Sequence, residues 1–408
     1  MTALRQGVSE GQPAPTSLAV CPTSPSVVRA AIRACRGAQA PLAFAATLNQ
    51  VDTDGGYTGW TPARFVQLAR ETAIEEGYRG PIIVGLDHGG PWLKEVQRRE
   101  NWAVERAMAA VKGSLLACLE GGYDLLHIDT TIDWPQDSDR PVPIQLVTRR
   151  TLELIGEAEA FRRARGLSPV SYEVGTEEVH GGLADMDTFR LFLEGLKAGL
   201  AERGLSDVWP CFVVGKVGTD LHTTEFDPKV AGQLTQILAQ YGSALKGHYT
   251  DWVSNPEAYP RARVGGANVG PEFSEVEYNA LAELSRREQE LVGTNEDGRH
   301  SGVLAAIRRG VIGSGRWARW RLPGERGKSF DELSPERQDW MVRTGCRYVW
   351  LEPSVVASRG ALCANLASAG IDAEETVLSG IGESIRRYCR AFALEGTLPR
   401  IEAAISSL

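Results

Sequence analysis

"PIIVGLDHGG", residues 81–90, decides the fold. Apolar and small residues run without polar alternation into Asp87 and His88, then into two glycines. An unbroken apolar run marks a strand covered on both faces, as parallel strands are. Such a strand ends on an acid and an imidazole where its carboxyl end opens onto a site, which is the geometry of a parallel barrel rim.

Seven more runs of this type follow the same rule: "SLAVCPT" (17–23), "PLAFAATLNQ" (41–50), "YDLLHIDTT" (123–131), "VSYEVGTE" (170–177), "WPCFVVGKVG" (209–218), "ALKGHYTD" (244–251) and "ARVGGANVG" (262–270). Between them lie segments with apolar residues at helical spacing. "TPARFVQLARETAIEEG" (61–77) carries Thr61 as N-cap, Pro62 at the first helical position and Gly77 at the stop. Residues 94–122 and 185–204 read as helices in the same way. Eight strand–helix units in roughly 290 residues predict an α/β fold, a (β/α)8 TIM barrel. A doubly wound open sheet is the runner-up, but no G-x-G-x-x-G follows the first strand. We read residues 1–16 as a flexible leader, 17–291 as the barrel and 292–408 as a C-terminal helical extension. In that extension "SFDELSPERQDWMV" (329–342) has a capping pattern and "GESIRRYCRAFALEG" (382–396) ends on Gly396.

The 408 residues are 43% hydrophobic and 24% charged, with a net charge of −8. That balance argues against nucleic acid or an anionic membrane as partner, since both need a basic footprint. Arg outnumbers Lys 37 to 7, which reads as coding bias before chemistry. Seven scattered cysteines without a CxxC pair point to a reducing, cytoplasmic setting rather than a disulfide framework.

Three of the six histidines stand where a barrel puts ligands. His88 ends the third strand run, His222 follows the sixth, and His248 ends the seventh. Three imidazoles with an open position suit Zn2+ or another divalent metal, and Asp87 beside them suits acid–base work. The plainer alternative is that each is a hydrogen-bonded structural residue. His127 reads as core or support, with Asp129 the residue of that strand expected at the mouth. His180 and His300 read as solvated surface. Glu177 and Glu178 follow the fifth strand, either as a solvated pair or facing metal or substrate. Asn49 and Gln50 end the second strand as amides placed to orient hydroxyls, and Tyr57 and Trp60 follow as a sugar platform or a packed lid. "GGANVGPEF" (265–273), with Asn268, offers backbone amides of the kind that cradle phosphate.

Together, "NQVDTDGGYTGWTPARF", "GLDHGGPW", "HIDTT", "YEVGTEEVHGG", "KGHYTDW" and "CRYVWLEPSVVASRGALCANLASAGI" resemble the Z-type, often labelled non-catalytic, subunit of class II tagatose-1,6-bisphosphate aldolase. The resemblance spans residues 17 to about 395. It implies a (β/α)8 barrel related to zinc-dependent class II aldolases. It also implies Asp87 as acid–base residue, His88, His248 and His222 as metal ligands, and Glu177 as the glutamate of the Gly-Thr-Glu run. Departures fall around the substrate: Trp92 stands for a polar side chain, His180 for a proline, Arg263 for a lysine, and the loop before His222 is longer. The expected chemistry is metal-dependent aldol cleavage or addition on a sugar or sugar phosphate. Aldolase, transaldolase and 4-epimerase outcomes are alike in the residues they need, with Asn49, Gln50, Asp129, Glu178 and Asn268 holding substrate. The competing readings are a non-catalytic stabilising subunit of an aldolase complex, and a metal-free isomerase using Glu177 and Asp129. A homo-oligomer or a partner aldolase subunit is the expected company.

Overall fold

The computed structural model describes residues 4, 13–135, 142–175, 185–219, 224–292 and 300–406. Eight parallel strands close on themselves in chain order: β1 Ser17–Val20, β2 Leu42–Thr47, β3 Ile82–Gly89, β4 Leu125–Ile128, β5 Ser171–Gly175, β6 Phe212–Val214, β7 Ala244–Gly247 and β8 Gly266–Val269. Closure is made by β1 against β8, with Ser17 opposite Gly266 and Val20 opposite Val269. Every strand but β3 falls inside its apolar run and is shorter than it; β3 runs one residue past His88, to Gly89. The trailing residues of each run belong to the rim.

Some of the helices between strands start on side-chain caps. Thr61 accepts from the Arg64 amide at the head of Pro62–Glu75, and Asp227 accepts from Lys229 and Val230 at the head of Pro228–Ala239. One expected helix is two. The stretch 94–122 breaks into Glu95–Arg99 and Val104–Gly121. Asn101 takes a left-handed φ of +50°, and the Trp102 amide turns back to the Gln97 carbonyl at 2.8 Å. Periodicity carried across "ENW" hid that stop.

The barrel interior is sorted by height. At its lower end Leu125, Phe212 and Ala244 form a small apolar plug. Above it the inward positions become polar. On β5, Tyr172 points outward to Glu159 of helix Ile144–Ala164 and Val174 joins the main core, so strand alternation turns Glu173 inward.

After the last barrel helix, Pro271–Val292, the chain adds helices Val303–Ser314, Pro335–Gly345, Pro353–Ala367, Ala373–Ala391 and Leu398–Ser406. They share the barrel's core rather than forming their own. Helix Ala373–Ala391 lies against Pro25–Ala38 and Pro271–Val292, and Phe273, Tyr388 and Phe392 meet ring to ring. The Thr16 amide donates to the Phe392 carbonyl, and the Leu398 amide to Gln39. Helix Ala373–Ala391 stops five residues before Gly396, because Ala393 already turns left-handed at φ +54°. Gly396 instead donates its amide to the Ala38 carbonyl. At the other end of the chain, Ala14 and Thr16 are buried, and Thr16 also donates to the Val264 carbonyl.

Candidate active site

One cavity of about 860 Å³ opens at the carboxyl ends of the strands, a size usual for small-molecule sites. Asp87, His88, His248 and Asn268 line its floor. Its sides come from Asn49, Gln50 and Tyr57, from Arg98 and Arg99, and from Arg316, Arg319, Trp320, Arg347 and Tyr348 of the extension.

The floor begins with an irregular strand end. The β3–β4 register shifts between Leu86 and Gly89, and His88 takes φ +52°. Non-glycine residues hold such a conformation only where their surroundings impose it. Gly90 makes it possible: a Cβ there would sit 1.4 Å from the Asp129 carbonyl oxygen. This close passage of β3 over β4 brings His88 Nδ1 to 2.6 Å from Asp129 Oδ2.

Two imidazoles are each backed by a carboxylate, through opposite ring nitrogens. A carboxylate only accepts, so His88 Nδ1–H donates to Asp129 and leaves Nε2 with its lone pair. His248 Nε2–H donates to Glu173 Oε1 at 2.9 Å and leaves Nδ1 with its lone pair. A carboxylate behind each imidazole is the pattern that fixes metal-binding histidines. His127 closes the group. Its Nδ1 lies 3.1 Å from the His88 amide and 3.2 Å from Asp87 Oδ1. It can accept from the first or donate to the second. Asp87, His88, His127 and His248 each bring a ligand atom within 4.8 Å of the others, which fits a divalent cation.

Charge is closely compensated. Burial alone would raise the Asp87 carboxyl, but the imidazoles of His88 and His248 and the His127 hydrogen bond hold it well below the usual carboxylate range. Asp129 is likewise desolvated yet drawn to about 2 by its bond to His88. Glu173, fully buried, is drawn to about 2 chiefly by Lys246, whose Nζ sits 2.5 Å away. Burial pushes His248 down to about 4, keeping it neutral at pH 7.

Other expected residues are placed differently from their expected use. Asp129 is buried behind His88 and also accepts from Thr131, so it faces the imidazole rather than the cavity. Asn49 lines the cavity, but its amide is engaged with the Leu93 carbonyl and the Glu95 amide. Gln50 Oε1 accepts from the Thr47 amide. Asn268 Nδ2 donates to Asp87 Oδ1 at 3.1 Å, and its Oδ1 has no hydrogen-bond partner among the described residues. The β8 amides expected to cradle phosphate are taken: Asp251 Oδ1 accepts from Gly270 and Glu272 at 2.9 and 2.8 Å. Trp92 packs with Ala107 and Ile132 and does not line the cavity. Trp60 stacks on Phe65, while Tyr57 meets Tyr348 edge to face within the cavity. Glu177, Glu178, His180 and His222 lie outside the described residues.

Residues not singled out for the floor are Glu173 and Lys246, and His127 belongs to the cluster itself. The available signal was strand alternation: His127 pairs with Glu173 in register, and Lys246 shares a strand face with His248.

Residues 3–386 match the family model described as D-tagatose-1,6-bisphosphate aldolase subunit GatZ/KbaZ-like. Among solved structures, a probable tagatose 6 phosphate kinase from Sinorhizobium meliloti 1021 shares the fold with TM-score 0.70 at 22% identity, covering 96% of this chain and 98% of that one. The YdjI aldolase from Escherichia coli K12 aligns at TM-score 0.47 and 11% identity, covering 94% and 93%. The fructose-bisphosphate aldolase (Fba) from Campylobacter jejuni aligns at 0.47 and 12%, covering 85% and 90%. No helix among the described residues is long and apolar enough to cross a membrane.

Proposed function

The chain belongs to the D-tagatose-1,6-bisphosphate aldolase subunit GatZ/KbaZ-like family, and on that footing we propose that it carries out metal-dependent aldol or retro-aldol chemistry on a sugar or sugar phosphate. The observation that carries this reading is the pair of imidazoles, His88 and His248, each backed by a buried carboxylate and converging beside Asp87. When bound, a divalent ion such as Zn2+ supplies Lewis acidity, polarising a carbonyl and stabilising the negative charge that develops as a C–C bond breaks.

His88 and His248 are the proposed ligands within the described residues, and His222 remains the proposed third. His127, reaching the same cluster, is the other imidazole able to complete the set. Asp87 is the proposed base. It is ionised, held by Asn268 and His127, and positioned to take the proton from the hydroxyl on the carbon being released. On addition it returns that proton. Asn268 Oδ1 is open to a substrate hydroxyl, and Tyr57 offers an aromatic face beside it. Glu177 is proposed for the enolate-side proton and Glu178 for substrate. Asp129 is reassigned to orienting His88. Whether the released aldehyde leaves, is exchanged or re-adds on its other face separates aldolase, transaldolase and 4-epimerase.

A non-catalytic stabilising subunit is the second reading, supported by the word "subunit" in the family description. The buried floor weighs against it. Enclosing Asp87, Asp129, Glu173 and Lys246 in a barrel costs stability that a scaffold has no need to spend. The test is elemental analysis with turnover. One divalent ion per chain and retro-aldol cleavage of ketose phosphates, lost in Asp87→Asn, support catalysis. A metal-free chain that cleaves nothing and only stabilises a separate aldolase supports the scaffold.

A further inference from the structure

The sides of the cavity carry an excess of buried positive charge. Arg347, from the extension, lines the cavity and is only 6% exposed. It donates to the Thr344 carbonyl and forms no ion pair with a carboxylate of the described residues, although Asp251 lies near enough to feel its charge. Arg98, half-buried on the rim after β3, likewise forms no direct ion pair among the described residues, although the charge of Glu95 reaches it. Holding a guanidinium at such depth without a direct ion pair is costly unless an anion arrives to meet it.

The carboxylates in the cavity are otherwise occupied. Glu95 pairs with Arg316 at 2.9 Å and with Arg319. Asp87 sits among imidazoles on the floor. Asp251 caps the amides of Gly270 and Glu272 just past β8. The guanidiniums of Arg347, Arg319 and Arg316 lie 4.9, 5.0 and 4.5 Å from the ring of Tyr348, and Arg347 also lies 5.2 Å from Trp320. Stacking of this kind steadies a guanidinium while leaving its in-plane N–H edge for a planar oxyanion. The crowding is mutual: burial and the charge of Arg347 pull the Arg319 guanidinium down to about 9.

We propose that Arg347 and Arg98, supported by Arg316, are specificity-determining residues that grip an oxyanion carried by the sugar, so that the C-terminal extension and the barrel rim together supply the recognition half of the site. This rests on the floor being the reaction centre. The oxyanion chemistry is common to a phosphate ester and a sugar carboxylate. Both are planar or tetrahedral acceptors able to take paired N–H donors.

The experiment uses the full chain, its zinc-binding isotherm, and calorimetric and thermal-shift titrations with inorganic phosphate, a ketohexose 6-phosphate and a hexuronate. Wild type and Arg347→Lys bind at least one of these anions. Arg347→Met and Arg98→Met bind it at least about tenfold more weakly, while zinc binding stays as in wild type. Without anion, Arg347→Met melts no lower than wild type, because it removes a buried charge that has no direct ion pair. Phosphates binding without hexuronate assigns the group to a phosphate ester, and the reverse assigns it to a carboxylate. Should Arg347→Met fail to fold, Arg98→Met still reads the site. Equal anion binding in wild type and both methionine variants overturns the proposal, as does no binding of any of the three anions to wild type. A wild type that grips the anion through these arginines but never takes up a divalent ion overturns the aldol reading and leaves this one standing.

Discussion

The floor and the side wall of the same cavity are built on opposite electrostatic principles. On the floor every carboxylate has a hydrogen-bonding partner within reach: Asp129 has His88, Glu173 has His248 and Lys246, and Asp87 has His127 and Asn268. On the wall, Arg98 and Arg347 form no ion pair among the described residues, and aromatic faces do the positioning. A closed network fixes geometry in advance of substrate, which is what chemistry demands. An open, like-charged surface waits for a counter-ion, which is what recognition demands. On the proposed reading, reaction belongs to the barrel floor and selection to a wall shared by Arg98 of the barrel rim and Arg347 of the extension.

Breaking the floor gives the largest effects. His88→Ala and His248→Ala are each expected to lower bound divalent ion from about one per chain to near zero and to abolish turnover, read by elemental analysis and a retro-aldol assay. Asp87→Asn is expected to keep the metal and lose about 10²- to 10⁴-fold in kcat. A metal-free Asp87→Asn would mean that the carboxylate is a ligand instead. Asp129→Asn, which leaves the His88 ring less firmly held, is expected to cost about 10- to 100-fold in metal affinity or activity. Comparison with Gly90→Ala, where the new methyl meets the Asp129 carbonyl, tests whether ring position or ring polarity matters.

The strand pattern made the barrel legible, because an apolar run buried on both faces has few other homes. His88, His248 and Asp87 were legible for the same reason: they terminate such runs. Glu173, Lys246 and His127 were harder. They sit inside runs whose neighbours, Tyr172, Val174 and Leu126, are core, and only the inward phase of the alternation distinguishes them. The wall was not legible at all. Arg98 and Arg347 are some 250 positions apart, and nothing in an arginine-rich chain singles out these two until the extension is folded against the rim. The split of 94–122 was missed because its break rests on one left-handed residue, Asn101.

Between floor and wall stands Asp251, and pH sharpens the comparison there. Burial and then the nearby Glu272 charge push its carboxyl up to about 7, despite two amide bonds that favour the anion. A carboxyl raised on folding favours the native state below its unfolded value near 4, and that advantage is lost as pH rises through about 7. Asp251→Asn keeps an acceptor for both amides and is expected to flatten stability between pH 4 and 7. The change at the upper end would be as much as a few kcal/mol, checked by urea unfolding across that range. The smallest effect belongs to the wall's tether. Glu95→Gln removes the carboxylate pairing with Arg316 and Arg319, and is expected to cost about 0.5–1 kcal/mol, since both partners are partly solvated.

The docking of helix Ala373–Ala391 onto Pro25–Ala38 ties the extension to the first barrel helix. During synthesis, all eight strands have left the ribosome while the arginines from 316 onward and the helix that clasps the first barrel helix are still to come. The nascent barrel therefore has its clustered imidazoles and Arg98 well before the extension adds Arg347. In the growing polypeptide, the floor is complete before the wall that faces it.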